Sequence, residues 1–236
     1  MSVEGGPAQR PGDGPWLERW LSAPRLGRYM AAADNDRDRA LSLYDWNAHI
    51  GTAALRDLAH LEIALRNAYD RALAATMPAG QSHWTSASMI VFPSLYRTKR
   101  ASGGRTRQVD INRKAREILD AARQAAGGSA ASPDKVVANL TFGFWRYLSS
   151  KAHEKSLWVP HLHTAFPPKT SRSAVDARIG RLHDLRNRAA HHEPLLDTDL
   201  LARLDDLLWV AELLEPTLAQ FIRSSTDVPA LDASRP

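Results

Sequence analysis

Ser173-Ala-Val-Asp-Ala-Arg-Ile-Gly-Arg-Leu-His-Asp-Leu-Arg-Asn-Arg-Ala-Ala-His-His-Glu-Pro194 carries both the fold and the chemistry of this chain. Val175, Ile179, Leu182, Leu185 and Ala189 recur every three or four positions, the period of a helix with one buried face. Ser173, with Asp176 three residues later, is a capping-box-like start. Pro194 predicts a helix end nearby. Arg186 lies four residues after Leu182 and seven after Ile179, so a guanidinium falls inside the apolar stripe. A charge on a core-facing stripe needs a partner, because burying it alone is very costly. Two imidazoles follow at His191 and His192, the side chains best placed to move a proton near neutral pH. On a continuous helix His191 points about 140° away from Arg186. Both serve one phosphate only if the helix ends or bends before His191, or if they come from different subunits, as a two-fold axis would allow.

The helical period extends through most of the chain. Thr52–Ala75 repeats the same anomaly. Leu55, Leu58, Leu65, Tyr69 and Leu73 make its stripe, with Glu62 and Arg66 inside it and Asn67 echoing Asn187. Two arrangements fit: a buried Glu62–Arg66 ion pair that fixes packing, or a second layer of residues around Arg186. Pro15 opens a short helix, and another follows Pro24. Asp36–Ile50 and Thr52–Ala75 form a helix pair or one bent helix, with Gly51 as the break. Asp110–Ala126 is helical and stops at Gly127-Gly128. Pro133 opens a helix through about Ser150, Trp158–Lys169 is a loop, and Asp199–Ile222 is a final helix. Strand alternation is nearly absent. The expectation is one all-α domain over residues 15–223, with about seven helices. Met1–Gly14 and Ser224–Pro236 read as flexible tails, being dominated by small, polar, Gly or Pro residues.

Composition narrows the chemistry. The 236 residues are 44% hydrophobic, enough for a real core, and contain no cysteine. Thiolate nucleophiles, disulfides and cysteine–zinc sites are therefore excluded. No stretch approaches the roughly 20 apolar residues of a transmembrane helix, and the opening segment lacks the apolar run of a secretory signal. The expectation is a soluble cytoplasmic protein without a membrane partner. The formal charge of +5 favours polyanionic partners modestly. Much of it gathers in Tyr96–Gln108, a predicted loop around Gly103-Gly104 that carries Arg97, Lys99, Arg100, Arg105 and Arg107. This is either a solvated loop or a mobile phosphate-binding arm. Phe142, Phe144, Trp145 and Tyr147 could stack bases, although at helical spacing aromatic residues are more often core. His161, His163, His183, His191, His192 and Glu193 lack a His-x3-His helical spacing, so no metal or other cofactor is assigned.

Arg186-Asn187-x-x-x-His191 resembles the Arg-x(4–6)-His motif of the HEPN superfamily of helical ribonucleases. More specifically, the chain resembles Abi-like (abortive infection) proteins over roughly residues 17–223. The matching blocks are Leu61-Glu62-Ile63-Ala64-Leu65-Arg66-Asn67, Asn139-Leu140-Thr141-Phe142-Gly143-Phe144-Trp145, and Leu185 through Pro194, in the family's order. The resemblance implies a HEPN-like helical bundle, dimerisation through the motif helices, and metal-independent RNA cleavage in phage defence or toxin–antitoxin systems. Arg186, Asn187 and His191 would be catalytic, with His192, Glu62, Arg66 and Asn67 supporting them. Partners would be RNA, a second copy of the chain, and an antitoxin protein or regulatory RNA. Two alternatives stand beside this expectation: a catalytically inactive HEPN-like RNA-binding or dimerisation module, and a helical protein-interaction adaptor.

Overall fold

Helix α3, Arg37–Ala74, is 38 residues long, about 57 Å at the α-helical rise, and the other elements are arranged along it. It starts where the Asp36 carboxylate accepts a 3.0 Å hydrogen bond from the Arg39 N–H, a side-chain cap on an otherwise unpaired donor. The computed structural model describes residues 14–86, 91–100 and 104–236. Before α3 come the short α1 (Trp16–Leu21) and α2 (Ala23–Ala32). After it follow an antiparallel hairpin, β1 (Tyr96–Arg100) and β2 (Thr106–Asp110), and then α4 (Arg113–Ala126), α5 (Pro133–Ala138) and α6 (Phe142–Leu148). The chain ends with α7 (Arg172–Ala190), α8 (Leu200–Leu214), α9 (Pro216–Ser225) and α10 (Val228–Ala233). Helices dominate, as expected, but there are ten among the described residues rather than seven.

The core forms where α3 meets α6, α7 and α8. Leu58, Leu61, Leu65 and Tyr69 of α3 are buried together with Val175, Ile179, Leu182 and Leu185 of α7. Phe142, Phe144 and Trp145 are fully buried, with Phe144 edge-on to Trp145 and to Phe92. That places these aromatics in the core and removes them as base-stacking candidates. Among the described residues no helix is long and apolar enough to cross a membrane.

Several expectations are corrected. Gly51 breaks nothing: α3 runs straight through it, because both flanking segments share one buried stripe. The single helix expected from Pro133 to Ser150 is two, α5 and α6, separated at Asn139–Thr141. The predicted Trp158–Lys169 loop contains a 3-10 turn at Leu162–Ala165. Asp199–Ile222 is likewise two helices, parted at Glu215-Pro216, where proline cannot continue the hydrogen-bond ladder. The cap of α7 is Ser171, whose side chain accepts from the Ala174 N–H, and not Ser173. Tyr96–Gln108 is mostly hairpin. Residues 1–13 of the predicted N-terminal tail, and Gly103, lie outside the described residues.

The predicted tail at Ser224–Pro236 is folded. Val228 is 3% exposed. The Trp46 indole N–H donates to the Leu231 carbonyl at 2.7 Å. Arg235 donates to the Leu196 carbonyl at 2.9 Å and stacks its guanidinium over the Trp46 ring at 5.2 Å. Composition suggested mobility, but one buried valine and two anchored polar groups suffice to dock this short segment.

Candidate functional site

Helix α7 presents two different stripes. Val175, Ile179, Leu182 and Ala189 face the core. A second row, Asp176, Gly180, His183 and Asn187, repeats at the same helical period and runs beside α6 and Arg146. Two glycines let the helices approach. A Cβ on Gly143 would lie 3.0 Å from His183 Nε2, and one on Gly180 would lie 3.5 Å from an Arg146 guanidinium nitrogen. The Asn187 side-chain amide lies 3.3 Å from His183 Nε2 and 3.4 Å from Nδ1. Burial lowers the His183 basicity; the exposed Asp184 carboxylate opposes this, and the cations Arg146 and Arg186 reinforce it.

Arg186 stands half-buried beside this row and makes no hydrogen bond or ion pair among the described residues. Its electrostatic partner is Glu62 on α3. Burial raises the Glu62 carboxyl above its ordinary range, while Arg186, the Phe142 N–H and Arg66 pull it down, in that order. The anticipated Glu62–Arg66 ion pair is not formed. Arg66 instead donates from Nε to the neighbouring Asn67 side chain at 3.3 Å. Glu62 thus belongs with Arg186 and the start of α6, whereas Asn67 is exposed and turned to Arg66.

His191 and His192 sit on the turn that closes α7. His192 donates from its backbone N–H to Ala189, and Glu193 to Arg188, the paired bonds of a Schellman close. The position that usually takes glycine is held by His192, at φ +54°. The turn is braced from both sides. Buried Asn47 of α3 donates to the Glu193 carbonyl at 3.3 Å and accepts from the Leu195 N–H at 2.6 Å. Arg188 donates to Thr198 Oγ1 at 2.6 Å and to the Pro194 carbonyl. Both imidazoles are exposed. Helix α7 ends at Ala190, directly before His191, and the His191 N–H still donates to the Asn187 carbonyl at 3.0 Å, so the backbone keeps its helical course up to the turn.

The basic arm is a two-stranded ribbon anchored at its root. Asp110 accepts from the Leu95 and Asn112 N–H groups and pairs with Arg116. Together these hold its carboxyl down to about 2, with Arg116 the largest influence. Beyond this root every residue of β1 is exposed. The register sets Lys99 opposite Arg107 and Arg97 opposite Val109, so Arg97, Lys99 and Arg107 share one face and Arg100 takes the other. Arg105 is also exposed, just before β2.

The structure therefore brings Arg186 and Glu62 together, with Asn187 against His183, while His191 and His192 stand on the turn that closes α7 and the hairpin cations on the exposed ribbon. Sequence reasoning passed over Arg146 and Asn47, and considered His183 only as a metal ligand. The i,i+4 spacing of His183 and Asn187 was an available signal; the approach of Arg146 across Gly180 was not. Among the described residues no three His, Asp or Glu side chains gather as a metal-ligand set. A cleft of about 560 Å³, lined by His83, Asp120 and Arg123 among others, contains none of the anticipated site residues. Comparison with family models, curated proteins and solved structures finds no match to this chain.

Proposed function

We propose that this protein is a metal-independent endoribonuclease, a toxin or phage-defence effector of the HEPN type its sequence resembles, working at a site shared by two copies of the chain. The observation that carries the reading is the arrangement on α7. An Arg186 guanidinium without an ion pair is held beside Glu62 and next to Asn187, and a braced turn presents His191 at the end of the same helix. Packing two such helices about a two-fold axis brings the Arg186 of one copy toward the His191 of the other.

In the reaction a ribose 2′-oxygen attacks the adjacent phosphorus as His191 of one copy takes the 2′-OH proton. The P–O5′ bond breaks, and the departing 5′-oxygen receives a proton from the second imidazole. Arg186 stabilises the charge that develops on the phosphate oxygens, and Asn187 orients the phosphate. The products are a 2′,3′-cyclic phosphate and a free 5′-OH. DNA has no 2′-OH to attack. The hairpin cations hold the flanking strand.

Purified wild type, Arg186→Ala and His191→Ala are incubated with an RNA and with DNA of the same sequence, with and without a chelator. Expected is RNA cleavage that leaves 5′-OH ends, persists in the chelator, spares DNA, and falls about 10²–10⁴-fold in His191→Ala. Cleavage abolished by the chelator, or DNA cut as fast as RNA, sinks the mechanism. RNA binding without cleavage assigns the chain to the non-catalytic RNA-binding class instead. No affinity for RNA at physiological salt leaves the interaction adaptor.

A further inference from the structure

Arg116, Arg123 and Arg172 each have an acidic partner. Arg172 reaches Asp176 at 3.1 Å and Glu154 at 3.7 Å, Arg123 reaches Asp120 at 2.6 Å, and Arg116 pairs with Asp110. Arg146 reaches none. Its side chain is half-buried, its Nε is sealed from solvent without a hydrogen-bond partner, and it forms no ion pair among the described residues. Leaving a guanidinium partly desolvated and unpaired destabilises the fold, so the arrangement calls for an anion from outside the chain.

The surroundings specify which kind. Arg146 lies over Gly180, within electrostatic range of His183, whose ring touches the Asn187 amide. The groups facing His183 are Arg146 from α6, and Asp184, Arg186 and Asn187 from α7. Glu62 of α3 faces Arg186 and the Phe142 N–H rather than the imidazole. Guanidinium, imidazole and amide donors around one position match the oxygens of a phosphate. We propose that Arg146 and His183 form a phosphate-binding subsite, which the Asn187 amide joins to the position of the scissile phosphate beside Arg186, and which is occupied in a bound RNA by the phosphate next to the one that is cleaved. The RNA assignment rests on the nuclease reading, whereas the phosphate site stands on the unpaired Arg146 and the His183 and Asn187 groups beside it.

Inorganic phosphate is the probe. The His183 imidazole is titrated by NMR in chloride and in phosphate at equal ionic strength, with exposed His49 as the internal reference. A phosphate bound at this position stabilises the imidazolium, so the His183 pKa rises in phosphate while that of His49 does not. Arg146→Gln loses the rise and Arg146→Lys, which keeps the charge without the fork, retains part of it. A wild-type His183 titration indifferent to phosphate overturns the proposal, whether or not the variants fold. So does an undiminished response in folded Arg146→Gln.

Kinetics separate the two readings. Arg146→Gln raises KM about tenfold or more for a trinucleotide, which has a neighbouring phosphate, and leaves it unchanged for a dinucleotide, which has none. A phosphate response without RNA cleavage keeps the subsite and removes the nuclease. Cleavage without a phosphate response does the reverse.

Discussion

His192 is the residue where local preference and observed structure disagree most. It occupies the left-handed close of α7 at φ +54°, which costs a residue with a Cβ about 1–2 kcal/mol relative to glycine's freedom. Glycine surrenders part of that gain through its greater unfolded-state entropy. His192→Gly is therefore expected to stabilise the protein by about 0.5–1 kcal/mol, raising Tm by roughly 1–4 °C. Thermal unfolding checks this, and an unchanged or lower Tm shows that the turn carries no strain. Strained non-glycine residues cluster where chemistry is done, so loss of RNA cleavage in this stabilised variant would move the proton-transfer role from His191 to its neighbour. At this scale the sequence announces Arg186 and Glu62 plainly, because a charge inside an apolar stripe stands out on one helix. His183 and Arg146 stay hidden, because their meeting depends on how closely two helices approach, which Gly143 and Gly180 decide only once both are placed.

Among the elements, α3 shows why a glycine is a weak break. Gly51 sits in the interior of a continuous helix, and a Cβ there would meet Leu195 Cδ1 at 3.8 Å and Ala189 Cβ at 3.9 Å, ordinary contact distances. Gly51→Ala is expected to stabilise by about 0.5–1 kcal/mol. A destabilised variant in chemical denaturation would show that α3 and α7 need the closer approach. The hairpin was illegible for the opposite reason. Strands are recognised by alternation between a buried and an exposed face, and β1 exposes both. Its order comes from the Asp110 network at its root. The face carrying Arg97, Lys99 and Arg107 yields a quantitative test. Replacing all three with Gln should flatten the slope of log affinity for single-stranded RNA against log salt by about 2, since each phosphate contact contributes about 0.7. A slope unmoved by the triple substitution removes the hairpin from RNA binding.

For the molecule as a whole, helical class was legible because the apolar period persists over most of the chain. The number of helices was not, since Glu215-Pro216 and Asn139–Thr141 interrupt patterns that look continuous on a helical wheel. One buried group couples the whole fold to pH. His153 is 0% exposed, both its ring nitrogens lack partners, and it packs edge-on against Tyr147 at 4.7 Å. Burial lowers its pKa to about 4. The unfolded chain takes up this proton near pH 6.5 and the folded chain does not, so acid favours unfolding. Stability is intact above about pH 6.5, falls as pH drops toward about 4, and loses on the order of 3 kcal/mol from this residue. His153→Leu should flatten that part of the stability–pH curve. A wild-type curve with no slope between those limits contradicts the burial of a neutral imidazole.

The helix at Val228–Ala233 has a consequence for the order in which the site matures. Arg235 holds the Leu196 carbonyl and Leu231 holds Trp46, and the adjoining Asn47 pins Glu193 and Leu195. The turn bearing His191 and His192 is thus clamped by residues made some forty positions later. On the ribosome those residues are still inside the exit tunnel when His191 emerges. The turn gains its full bracing only after they leave it, so a ribonuclease of the kind proposed would stay unarmed, while still growing, beside the messenger and ribosomal RNA around it.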